Sequence, residues 1–368
     1  MDRTHQNTPT AQLKEHINQR HSNLELLRIL AALFVVILHY NMGTAFASTA
    51  NMPVNYGILL FFESLSLCAV DIFVMISGYF LCTAKQVKIW KVLRLFMDVS
   101  IMSALIYSLK CILGDQFFTL REFLLSFIPL NWYVSVYAGL YLLFPFLNHI
   151  VQNRTRSQYQ FMLLVFFLVL SVWASVIEVP AALFGPSYNA LSPIGLSGND
   201  DGYTLVNFLL MYFLGAYFRL HESAEFSPKR RNRALCVYLG VAVVSTMIST
   251  VALGWLISYC NPLIVIQAVA IFVVFQNIRI QSKLINSIAG CAFGVYLIHP
   301  FFYRFCQIHR FVTGNPLVIP FHLVLCAVLI YAVSALIYRI YQNMFGSVFR
   351  WLQKKLNFLS YTADGFMK

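Results

Sequence analysis

Ten apolar runs follow one another from Leu24 to Tyr338, and each is long enough to cross about 30 Å of hydrocarbon. They fall at 24–44, 57–82, 92–113, 131–149, 160–179, 203–220, 234–253, 257–276, 285–304 and 317–338. In lipid every backbone polar group must be satisfied within the protein, so runs of this length are expected as helices. The expected fold is all-α, a polytopic integral membrane protein of ten transmembrane helices. The segment Glu122 to Leu130 is apolar but too short to span, and is expected as a re-entrant or interfacial piece. Composition agrees: of 368 residues 59% are hydrophobic and only 11% charged, against about 25% charged in soluble domains.

A net charge of +12 would suit nucleic acid in a soluble chain. Here the basic residues fall between the apolar runs, as in the inner loops of membrane proteins, so no nucleic acid is expected. One set of connections holds Lys85, Lys88, Lys91, Arg154, Arg156, Lys229, Arg230, Arg231, Arg233, Arg279, Lys283, Lys354 and Lys355. The other set holds only Arg121, Arg304 and Arg310. The positive-inside rule then places both termini in the cytoplasm. Residues 1–22 are read as a polar cytoplasmic segment, 23–340 as the membrane domain and 341–368 as a cytoplasmic tail. The first 22 residues carry both charge signs and lack the pattern of a signal peptide, so the first run is expected to be a retained span. The Pro- and Gly-containing stretch 180–202 is the longest outer loop, of a length more often functional than idle. The eight cysteines form no C-x-x-C pair and lie mostly within apolar runs, so neither a metal site nor a disulfide framework is expected.

Chemistry enters with Arg28 and His39, eleven residues apart in the first run. That spacing places both on one helix face about 16 Å apart along the axis. Ionisable groups are expensive inside a membrane and usually line a functional cavity there. Glu25, one turn from Arg28, is placed to hold the guanidinium. Asp71 falls near the middle of the second run. With Ser64 and Gly78 it recurs every seven residues, a face suited to close helix approach. Asp71 is a candidate to orient His39, with Glu63 as the other acidic candidate, or else to make an interhelical hydrogen bond. Lys88, Lys91 and Arg94 cluster at the start of the third run, where a polyphosphate would suit them. Topology alone also predicts basic residues there. Trp132, Tyr133, Tyr137 and Tyr141 place aromatic faces in the fourth run, for sugar stacking or interfacial anchoring. His299 lies in the ninth run at the depth of His39.

Arginine, ten residues, then histidine in the first run resembles the membrane acyltransferase 3 family. So do MISGYF (Met75 to Phe80), K-x-x-R at 91–94, NWYVSVYAGLYLLFPFLN (Asn131 to Asn148) and YLIHP (Tyr296 to Pro300). The match runs in order from Asn23 to about Tyr303. GYTLVNFLLMYFLGAYFRL, from Gly202, looks like members found with capsule or lipopolysaccharide genes. The resemblance implies transfer of an acyl group, usually acetyl, from cytoplasmic acyl-CoA to a cell-envelope glycan at the bacterial inner membrane. Acetyl-CoA is then the donor substrate, and no permanently bound cofactor is expected. The partners are a lipid-linked or surface glycan and membrane lipid, and an oligomer is left open. His39 matches the catalytic histidine, Arg28 its motif partner, and Lys91 with Arg94 the basic motif of the third helix. Lysine at 91 stands where arginine is commoner. Asp71 is grouped with the catalytic pair. Lys88 joins the donor cluster, and Trp132, Tyr133, Tyr137 and His299 the acceptor side. Many relatives carry an extracytoplasmic transfer domain after the last span; too few residues follow Tyr338 here to form one. The rival class is a carrier or exporter of a glycan or lipid-linked sugar. Against it stands the lack of paired broken helices in the sequence pattern of the two halves.

Overall fold

The computed structural model describes residues 21–176, 192–195, 200–222, 226–256 and 258–362. The first helix is α1 (Ser22–Tyr40), continued by a π-helical turn (Asn41–Ala45) and α2 (Phe46–Thr49). Next come α3 (Pro53–Ser66), α4 (Ala69–Leu81), a short strand β1 (Gln86–Lys88), α5 (Ile89–Ile112), α6 (Leu120–Leu125) and α7 (Trp132–Val151). These are followed by α8 (Arg156–Phe167), α9 (Leu205–Leu220), α10 (Pro228–Leu256) and α11 (Pro262–Gln276). The last group is α12 (Lys283–Ala289), α13 (Ala292–Ile298), α14 (Ile308–Val312), α15 (Ile319–Leu356) and β2 (Ser360–Thr362).

Among the described residues, eight helical segments are long and apolar enough to cross a membrane. Two shorter apolar helices, Leu205–Leu220 and Pro262–Gln276, stand where the sixth and eighth spans are expected. The short pair lies inside the bundle, with most side chains of α9 and α11 buried. Protein rather than lipid surrounds them, so they need not match the full hydrocarbon thickness.

Successive connections alternate between two ends. At one end His21 packs edge-on against Tyr79, Ser22 bonds Ser282, Asn148 donates to the Leu81 and Ala84 carbonyls, and Arg156 and Arg230 share Glu222. At the other end Asn55 donates to the Val312 and Gly314 carbonyls, Arg304 grips Asp115 with both terminal nitrogens, and Tyr296 donates to Asn131. The basic connections of the sequence thus gather at the His21 end. Segment 115–130 lies at the opposite end and carries the short helix α6, with Phe117, Phe118, Leu120 and Leu124 exposed. Most of the 180–202 loop lies outside the described residues.

Helix α1 is the hub. Leu24, Leu27, Ala31, Ala32, Val35 and Leu38 bury most of its circumference, as expected of a helix that is apolar nearly all round. It packs against α3, α4, α11, α12, α13 and α15. Helices α4 and α9 meet most closely: a Cβ on Gly78 would collide with the Tyr212 carbonyl, and one on Gly215 with the Met75 carbonyl. Paired glycines of this kind let helix backbones touch.

Three features depart from the sequence reading. The second span breaks between Ser66 and Ala69, and the ninth between Ala289 and Ala292. Neither break shows in the hydropathy, because both flanks stay apolar. They occupy the second and ninth spans, which are not equivalent positions of two halves. The last helix runs on to Leu356, and β2 then pairs antiparallel with β1, Val87 opposite Tyr361. The Tyr361 hydroxyl donates to the Leu142 carbonyl. The expected tail is therefore docked structure as far as Thr362.

Candidate functional site

The heptad spacing of Ser64, Asp71 and Gly78 brings Asp71 to α9. Its carboxylate accepts from Asn207 Nδ2 at 3.1 Å, and the residue is fully buried. Glu63 is likewise buried and accepts from Asn41 Nδ2 at 2.9 Å. Neither carboxylate orients His39; the expectation that one of them does is corrected. Asp71 stands instead as the interhelical hydrogen bond, two turns from the backbone contact at Gly78.

His39 is oriented by its own helix. Its Nδ1 lies 2.9 Å from the Val35 carbonyl. A carbonyl only accepts, so Nδ1 carries a proton, and in the neutral ring Nε2 keeps its lone pair. His39 is exposed although its neighbours Leu38 and Tyr40 are buried. His299 repeats the arrangement: Nδ1 lies 3.0 Å from the Val295 carbonyl, and the residue is 1% exposed. Among the described residues its Nε2 has no hydrogen-bond partner. The two rings meet edge to face with centroids 4.8 Å apart. The matching depth read from the sequence is thus a real contact between the first and ninth spans.

Below this pair lies a cavity of about 260 Å³ lined by Arg28 and Val35 of α1, Phe73 and Ser77 of α4, and Tyr133 and Tyr137 of α7. Gly290, Phe293 and Tyr296 close it on the ninth span. The break in the ninth span borders it at Gly290, and Val70, just past the other break, also lines it. Arg28 donates to Glu25 at 2.6 Å, as its spacing suggests, and keeps 29% of its side chain accessible. Tyr133 and Tyr137 stack with ring centroids 5.9 Å apart, and Ser77 donates to the Tyr137 hydroxyl at 3.3 Å. Tyr296 joins cavity and histidines: it lines the former and lies 6.2 Å from the His299 ring. Its hydroxyl donates to Asn131 Oδ1 at 3.0 Å, the same atom that caps α7.

Other expected residues fall elsewhere. Trp132 does not line the cavity. One residue from Tyr133 is a 100° step round the helix, which turns it to Tyr203 (4.4 Å) and Tyr259 (6.1 Å, stacked) at the Asn131 end. Lys91 and Arg94, clustered in the sequence, turn to different neighbours. Lys91 reaches over the Tyr141 ring at 5.7 Å. Arg94 turns to α15, where its guanidinium lies 3.3 Å from the Phe349 centroid and its Nε binds Asp98 at 2.7 Å. Asp98 also accepts from Tyr338 (2.9 Å) and Tyr341 (2.7 Å). Lys88 ends β1, and its backbone N–H donates to the Tyr141 hydroxyl. It is exposed at the His21 end, beside Lys91.

Tyr296, Ser77 and Tyr303 are site residues that the sequence reading did not single out. Tyr303 donates to the Val36 carbonyl at 2.7 Å and so ties the His299 segment to α1. Tyr296 had a signal, since it precedes His299 by three residues and so shares its face. Ser77 lies within the MISGYF motif but had no role assigned to it, and Tyr303 had no signal. No cluster of three metal-ligating side chains occurs among the described residues.

No curated protein and no solved structure matches the chain at a significant level. A family model described as an acyltransferase domain, the acyltransferase 3 family, matches residues 21–339. That span takes in the histidine pair and the cavity and ends within the last apolar helix. The chain belongs to the acyltransferase 3 family, and it is an acyltransferase built of membrane helices.

Proposed function

We propose that the protein moves an acyl group, acetyl in the first instance, from acyl-CoA to a hydroxyl of a cell-envelope glycan such as capsule or O-antigen. The observation that carries this reading is the pair of imidazoles at the end of the Arg28 cavity, each with Nδ1 held and Nε2 free. The positive-inside rule supports a cytoplasmic His21 end, in a protein of the inner membrane. Acyl-CoA is a polyanion that cannot cross lipid, so it approaches from that end past Lys88 and Lys91. Arg28 donates hydrogen bonds to the carbonyls of the pantetheine arm within the cavity. The glycan, on a lipid carrier or at the surface, arrives from the opposite end, where Trp132 offers an aromatic face.

His39 Nε2 takes the proton of the attacking hydroxyl. The new C–O bond forms as the thioester C–S bond breaks, and the proton passes on to the departing CoA thiolate. His299 Nε2, an acceptor with nothing to accept from, takes the hydrogen of a second hydroxyl on the sugar and fixes which one reacts. Tyr133 and Tyr137 present stacked rings to the chain between the two ends. Purified protein incubated with labelled acetyl-CoA tests the reading. Release of CoA with label on an added glycan supports it. Accumulation of glycan in sealed vesicles without CoA release replaces it with the carrier.

A further inference from the structure

A second pocket, of about 520 Å³, opens at the His21 end of the bundle. Tyr79 lines it, two residues past Ser77 and so about 200° round α4. The pocket therefore lies across α4 from the Arg28 cavity. Arg219 and Arg279 also line it, each against a ring. The Arg219 guanidinium lies 5.2 Å from the Tyr79 centroid, with Nη1 3.4 Å from the Tyr79 hydroxyl. That of Arg279 lies 4.9 Å from the Phe226 centroid. Among the described residues neither arginine forms an ion pair with a carboxylate. Glu222, on the same wall, is already held by Arg156 and Arg230, each at 2.7 Å. Helix α1 starts at this pocket without a side-chain cap, so its first-turn N–H groups add to the positive field. Burial, with the Arg219 charge beside it, holds the His21 imidazole below its ordinary value. Gln276 lines the pocket too, and its Oε1 has no hydrogen-bond partner among the described residues, which leaves an acceptor for a ligand hydrogen.

The positive-inside rule accounts for arginines at this end, but not for two of them sharing a pocket without a carboxylate. A guanidinium so placed offers its fork to an anion, and phosphate matches that fork. Contact with the rings positions both groups and uses only one of their N–H donors among the described residues. We infer that this pocket binds a phosphate monoester between Arg219 and Arg279, at a site separate from the donor path past Lys88 and Lys91. A monoester carries close to two negative charges at neutral pH, one for each guanidinium. On the orientation proposed above, the site faces the cytoplasm. The phosphate arrives on a soluble nucleotide or on a lipid headgroup. A lipid has a place for its chain, because Phe218 lines both this pocket and an apolar groove of about 540 Å³ between α8, α9, α10 and α11.

The test involves no acyl transfer, so it stands or falls apart from the proposed reaction. Purified protein in detergent is dialysed to equilibrium against radiolabelled adenosine monophosphate in one arm. In the other it is mixed with phosphatidic acid, and bound lipid is counted by native mass spectrometry. The expected result is one phosphate-bearing molecule per chain in at least one arm. Binding of the nucleotide names a soluble source, and binding of phosphatidic acid alone names a lipid headgroup. R219Q and R279Q should each weaken that binding about tenfold or more, the effect of one lost charge-assisted contact. K91A should leave it unchanged. Phosphatidylcholine, a diester with one charge fewer on its phosphate, should be retained far less. Binding in neither arm would overturn the inference, and is what arginines serving only topology or helix dipoles would give. So would binding that survives both arginine substitutions, binding lost in K91A, or equal retention of phosphatidylcholine. The two arginines stand on different elements, so one variant decides the matter if the other fails to fold.

Discussion

His39 and His299, from the first and ninth spans, meet edge to face with ring centroids 4.8 Å apart. Each is anchored through Nδ1 to the carbonyl four residues before it, Val35 and Val295. Helix geometry itself therefore sets both tautomers, and no carboxylate is needed to do so. Two imidazoles presenting acceptor nitrogens to one space suit the removal of a hydroxyl proton better than the binding of an anion.

His39→Ala should lower acyl transfer by about 10²–10⁴-fold, the usual contribution of a general base, with the protein still inserted and monodisperse. His299→Ala should act mainly on the Michaelis constant for the glycan. Initial rates at varied glycan and acyl-CoA separate the two. More than a tenth of wild-type activity in His39→Ala would remove the general base from this position.

Arg28→Ala should weaken acyl-CoA by roughly 1.5–3 kcal/mol, about tenfold or more, if the guanidinium donates to the donor's arm. Arg28→Lys should recover part of the loss, because it keeps the charge without the planar fork. Titration calorimetry with CoA measures this directly. Equal affinities would confine Arg28 to its pair with Glu25.

Lys91 and Arg94 should now behave differently. Lys91→Ala is expected to weaken CoA about tenfold while leaving thermal stability nearly unchanged. Arg94→Ala strips a cation from the buried Asp98 and should cost about 3–5 kcal/mol of stability. Replacing Asp98 as well, in Arg94→Ala/Asp98→Asn, should restore part of it. The reverse ranking, with Arg94 carrying the CoA effect and no stability loss, would return it to the donor site.

Gly78→Ala and Gly215→Ala should each separate α4 from α9, since the added methyl meets a backbone carbonyl that has no room to yield. Overpacking of this kind costs about 1–3 kcal/mol. Gly240→Ala, whose Cβ would meet nothing within 4 Å, is the control and should melt as the wild type does. Equal melting of all three would show that the helices separate at little cost.

Cysteines placed at exposed Ser157 and Leu317, in a background where Cys111 and Cys236 are serine, report orientation. An impermeant maleimide on intact spheroplasts should label the Leu317 site and spare the Ser157 site until the membrane is opened. The opposite pattern would invert the protein and its donor side.

Much was determined by the order of residues alone. Ten long apolar runs in a chain with few charges have only one way to satisfy their backbones in lipid, so the helices follow from composition and length. Periodicity within one helix is equally local. It placed Glu25 beside Arg28, and Asp71 and Gly78 on one face, because side-chain directions follow directly from 3.6 residues per turn. Which helix a face meets is not local. That Asp71 finds Asn207 rather than His39, and Arg94 finds Asp98 and Phe349 rather than an open entrance, was decided by packing between spans far apart in the chain. The breaks at 66–69 and 289–292 were invisible for the same reason: both flanks are apolar, and neighbouring helices make the interruption tolerable. The meeting of His39 with His299 needed both levels. Their equal depth was legible in residue counts. Their contact arose only when the first and ninth spans packed side by side, and the orphaned Nε2 of His299 exists only because that packing buried it.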